Sequence, residues 1–109
     1  MRIPLLATWL FGCGDPAATA PPPPSWYGEV GPVVRARCAG CHLPGGSGPF
    51  PLTDYDDVAA LAPAVIDAVE AGRMPPFPAD PACDDYRFDR TMPDDEVALL
   101  RAWFDAGLP

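Results

Sequence analysis

The chain has no lysine, only one histidine, and no apolar run long enough to cross a bilayer as a helix. Its basic charge rests on seven arginines, set against 15 acidic residues, for a net charge of -8. This balance argues against a nucleic-acid binder, because phosphate affinity needs Lys and Arg. It fits a soluble acidic surface or a partner with a basic docking face. No stretch alternates apolar and polar residues over a useful length, so strands and a parallel sheet are not expected. There is no internal repeat. The 109 residues amount to one small domain. A domain of this size buries a modest share of its surface and is often held by a covalent or metal staple.

The front end, MRIPLLATWLFGC, has a basic Arg2 followed by a short apolar segment, Ile3 to Phe11. A spanning helix needs about 20 apolar residues, so residues 1–12 read as an export signal. Leu10-Phe11-Gly12-Cys13 resembles a bacterial lipobox, which implies a lipidated Cys13 and a membrane anchor. Gly14 stands where an Asp would hold such a lipoprotein at the inner membrane, which favours the outer membrane. PAATAPPPP follows, within a linker spanning residues 13–25. Consecutive prolines favour extended polyproline II at about 3.1 Å per residue, so this stretch can act as a spacer of roughly 28 Å.

Residues 26–109 form the folded domain, and the expected class is all-α, with three to four helices. Val30, Val33, Val34, Cys38 and Cys41 recur at three- and four-residue steps, which predicts a helix over 31–41 with Pro32 in its first turn. A second pattern starts at Thr53, carries Asp54, Asp56 and Asp57 in its first turn and stops at Gly72. Pro63 inside it predicts two short helices or one kinked helix. The third pattern, 93–106, has Asp94, Asp95 and Glu96 at its start, Val97, Leu100, Trp103 and Phe104 on its apolar face, and Gly107 at its end.

The chemistry concentrates in CAGCH, Cys38 to His42. Zinc would need four ligands, usually in two close pairs, and the only other cysteine of the domain, Cys83, is distant and alone. A thioredoxin-like pair would need a βαβ setting, which is absent. A disulfide between Cys38 and Cys41 would close a small strained ring. Cys-x-x-Cys-His is the attachment pattern of c-type haem. Two thiols three positions apart can add to two vinyl groups, and the adjacent imidazole can serve as an axial ligand. One covalent haem would also enlarge a thin core.

At this point the chain resembles a class I cytochrome c, and more narrowly the small cytochrome c domains found beside bacterial copper, ascorbate-type monooxygenase domains. The residues that carry the resemblance are VGPVVRARCAGCHLPGGSGPFPLTDYDDV, GRMPPFPAD and EVALLRAWFDAGLP. Relatives often have Trp where this chain has Phe77. The resemblance covers the cytochrome domain alone and brings no monooxygenase activity with it. It implies haem on Cys38 and Cys41, with His42 as proximal ligand and its Nδ1–H held by the carbonyl of Pro49. It also implies Met74 as sixth ligand, on a loop stiffened by Pro75 and Pro76. Met92 is the other internal methionine and reads as an apolar staple. Arg35, Arg37 and Arg73 lie close enough in sequence to meet a haem propionate. The expected function is that of a periplasmic, lipid-anchored electron carrier, not an enzyme in its own right, serving redox partner proteins. The alternative is a haem protein with an open iron position, acting as a sensor or as an accessory redox subunit. Cys83 is left without an assigned partner.

Overall fold

The computed structural model describes residues 20–80, 82, 83 and 86–109. The expected export signal and the expected lipidation at Cys13 fall outside the described residues. Within them the chain is all-helical, with no strand. A π-helical turn, Trp26–Val30, runs into α1, Gly31–Arg37; α2 spans Tyr55–Glu70 and α3 spans Asp94–Asp105.

The start is capped reciprocally. Ser25 Oγ accepts from the Gly28 N–H at 3.1 Å, and the Glu29 carboxylate accepts from the Ser25 N–H at 2.8 Å. Pro32 sits in the first turn of α1, where its missing N–H costs nothing. The helix ends at Arg37, four residues before the expected Cys41. Cys38 leaves ideal helical geometry at φ -109°, and Gly40 gives little incentive to resume it. The CAGCH segment is therefore a turn. The N–H groups of Cys41 and His42 both donate to the Cys38 carbonyl, at 3.2 and 3.0 Å.

Helix α2 is one continuous element despite Pro63. That proline faces solvent, where water can satisfy the carbonyl left without a partner one turn earlier. Asp54 caps the helix by accepting from the Asp57 N–H at 3.0 Å, and Asp57 returns the contact by accepting from the Thr53 hydroxyl at 3.1 Å. Gly72 stops it at φ +67°, a conformation that suits glycine. The Ala68 carbonyl at this end accepts from the N–H groups of both Arg73 and Met74, at 2.9 and 3.1 Å. The helix terminus thus sets where Met74 begins its loop.

The core joins the first and last elements. Trp26, Val30, Val34, Leu52, Val58, Ile66, Val69, Leu100 and Trp103 form one buried cluster. The Trp26 and Trp103 rings lie 5.8 Å apart, and Tyr55 meets both edge-on. Of the apolar face expected for α3, Leu100 and Trp103 are fully buried, while Val97 and Phe104 are partly so. The Pro109 carbonyl accepts from the Trp26 N–H and from Trp103 Nε1, both at 2.9 Å. The neighbouring Leu108 carbonyl accepts from the Tyr55 hydroxyl at 3.0 Å. Arg101 on α3 bridges to Glu70 at the end of α2.

Candidate functional site

Cys38, Cys41, His42 and Met74, all singled out from the sequence, line one cavity of about 410 Å³. Its other walls are mainly apolar and come from Leu52, from the Leu61–Val69 face of α2 and from the Pro75-Pro76 turn. The volume falls within the roughly 300–1,000 Å³ of small-molecule and cofactor sites. Met92 is not among the lining residues. It belongs to a neighbouring hollow of about 240 Å³, which Met74 also borders.

His42 is the one buried polar residue among the described residues, 8 % exposed. Its Nδ1 lies 2.9 Å from the carbonyl oxygen of Phe50. A carbonyl only accepts, so Nδ1 carries a proton, and in the neutral ring it is Nε2 that keeps the lone pair. No described residue hydrogen-bonds Nε2, yet no buried side-chain nitrogen or oxygen is left unpaired and sealed off. Nε2 therefore opens onto accessible space, which for a residue lining this cavity is the cavity itself. The ring is held on both sides. The Phe50 ring lies 5.0 Å away, and a Cβ on Gly48 would come within 2.7 Å of Nδ1.

The partner of Nδ1 is thus Phe50 and not the expected Pro49. Gly48 passes directly against the imidazole, and the Leu52 N–H donates to the His42 carbonyl at 2.8 Å. With the chain pinned at both of these points, the carbonyl that meets Nδ1 is that of Phe50. Pro49 contributes to the cavity wall instead.

The two thiols differ. Both are free, and burial pushes the Cys38 thiol up to about 11, helped by the charge of Glu96. Cys41 is held below its ordinary value, first by a hydrogen bond with Ser47 and then by Arg90, whose Nη1 lies 2.9 Å from Sγ. Among the described residues no three His, Cys, Asp or Glu side chains converge on a metal-binding point. Cys38, Cys41 and His42 therefore do not form a zinc-type cluster.

The arginines divide differently from the expectation. Arg73 pairs with Asp67. Arg37 lines the cavity but is engaged twice by Glu96, at 2.7 and 3.1 Å. Arg35 is not part of the lining. Arg90, which the sequence reading passed over, is. Nothing local in the sequence marks Arg90, because its contact with Cys41 spans 49 positions. Cys83 is exposed.

An imidazole and a methionine side chain lining one mainly apolar cavity offer a donor pair suited to haem iron, and the two thiols at the same cavity are suited to its vinyl groups. No protein-family profile, curated protein or solved structure matches the chain.

Proposed function

We propose that this domain holds one covalent haem c and carries single electrons between redox partner proteins, exported and anchored through a lipid on Cys13 at the periplasmic side of a bacterial membrane. The observation that carries the reading is the convergence of Cys38, Cys41, the His42 ring and Met74 on one apolar cavity. The residues fit the group. Cys38 and Cys41 would hold the haem covalently, each by adding its sulfur and its hydrogen across one vinyl double bond, an addition in which no atom would be lost and no oxidant consumed. His42 offers Nε2 to the iron, with Phe50 fixing the ring through Nδ1, an outer contact of the kind that orients a ligand and tunes its basicity. Met74 offers its sulfur from a loop fastened to the end of α2. The haem would supply a one-electron iron couple, and histidine–methionine ligation raises its potential. Among the described residues the cavity wall includes no carboxylate, and the only histidine of the chain would be taken up as a ligand. That favours a carrier over acid–base catalysis.

The test is expression of the full chain in a host competent in cytochrome maturation. A haem stain that survives a denaturing gel and a weak far-red band in the oxidised spectrum are expected. Absence of the stain from mature protein sinks the reading. A stained protein that lacks the far-red band and binds carbon monoxide when reduced would move it to the open-iron sensor or accessory role.

A further inference from the structure

We infer that Arg90 raises the reduction potential of this site. The inference rests on the haem reading above. The chain is strongly acidic, yet among the described residues the only charged side chains lining the cavity are two arginines, Arg37 and Arg90. Arg37 is answered by the two-point contact with Glu96. Arg90 reaches the second attachment cysteine instead, with Nη1 2.9 Å from Cys41 Sγ.

The backbone that carries the cation is held independently of that sulfur. Asp89 Oδ1 accepts from the Thr91 N–H at 2.8 Å, the Thr91 hydroxyl at 2.7 Å and the Ala79 N–H at 3.2 Å. These bonds fix the backbone on both sides of Arg90. The guanidinium therefore remains within one side-chain length of the cavity edge when the Cys41 sulfur becomes a thioether and accepts hydrogen bonds only weakly.

The oxidised and reduced states of the site differ by one positive charge. A fixed cation at its edge disfavours the oxidised state by Coulomb repulsion, and so draws the electron on. Because Arg90 is exposed, the effect is screened by salt, over a length of about 8 Å at physiological ionic strength. Arg90 is thus a tuning residue acting on the iron through space.

The experiment is a spectroelectrochemical titration of the haem-loaded full chain. It compares wild type with Arg90→Gln, Arg90→Lys and Arg101→Gln, the last removing a cation of the α2–α3 bridge that does not line the cavity. Arg90→Gln should shift the midpoint downward, Arg90→Lys should keep most of the wild-type value, and Arg101→Gln should shift it less than Arg90→Gln. The gap between wild type and Arg90→Gln should narrow at high salt. A haem-loaded Arg90→Gln at the wild-type potential overturns the inference, as does Arg90→Lys falling as far as Arg90→Gln. Arg90→Met, neutral and of similar length, gives the same comparison should Arg90→Gln fail to load haem. Wild-type protein that takes no haem stain removes the haem reading itself, before any potential is measured.

Discussion

The Gly48 backbone lies so close to the His42 imidazole that an added Cβ would sit 2.7 Å from Nδ1 and 2.9 Å from Cγ. The ring cannot easily retreat, because Nδ1 is bonded to the Phe50 carbonyl. Gly48→Ala should cost about 1–3 kcal/mol by overpacking, read as a fall in the urea midpoint of unfolding. In haem-loaded protein it should also shift the electron paramagnetic signature of the oxidised iron, because the ring must rotate. A variant with unchanged midpoint and unchanged signature would show that the contact does not constrain the ring.

The thiols of Cys38 and Cys41 should react unequally in chain expressed without haem. Thiolate is the nucleophile, and Cys41 is shifted down while Cys38 is shifted up to about 11. Iodoacetamide near neutral pH should therefore label Cys41 well before Cys38, as followed by mass spectrometry. The sign for stability follows from the raised value. Protonated Cys38 is favoured in the folded chain, so its contribution is complete below the ordinary 9.0 and is lost as the pH climbs to about 11. The loss amounts to roughly 2 kcal/mol across that window. Equal labelling rates would mean that the haem-free chain does not maintain two thiol environments.

Met74→Ala should lower the reduction potential and let the reduced protein bind carbon monoxide. Met92→Ala should do neither, because Met92 packs against the core and is not part of the wall that holds His42. Its effect should be on stability, about 2–3 kcal/mol, the lower part of the range for truncating a buried methionine. Carbon monoxide binding by Met92→Ala with an inert Met74→Ala would exchange the two assignments.

The aromatic junction should respond in graded steps. Tyr55→Phe removes only the bond to the Leu108 carbonyl, at about 1 kcal/mol. Trp103→Ala removes a fully buried ring and the bond to Pro109, at about 3–5 kcal/mol. Denaturant titration separates the two. Equal losses would place the stability in the hydrogen bonds and not in the ring packing.

Where local chemistry was decisive, the sequence was readable. The acidic first turn of α3 and the stop at Gly72 are short-range effects, and each stands where its residues predict, whereas Asp54, expected inside the first turn of α2, caps that helix from just before it. Five of the candidate site residues, Cys38, Cys41, His42, Pro49 and Met74, also line one cavity, because CAGCH and the Met74 turn follow directly from the ends of α1 and α2. Longer-range or degenerate features were not readable. The π-helical turn at Trp26–Val30 carries no periodicity that separates it from an α-helix. The choice between the carbonyls of Pro49 and Phe50 depends on how tightly Gly48 packs, which no residue identity states. Arg90 comes from a loop without regular structure and meets Cys41 across half the chain.

The bond from the Trp26 N–H to the Pro109 carbonyl has a consequence for how the domain can be mounted. The first and last positions of the folded unit lie one hydrogen bond apart, so tethers attached before Trp26 or after Pro109 leave from the same patch of surface. Moving a tether from one end to the other leaves the cavity mouth at nearly the same distance and bearing from its attachment point. A circular permutant that joins Pro109 to Trp26 through a few glycines would need only a short bridge, and it would carry the cavity unchanged.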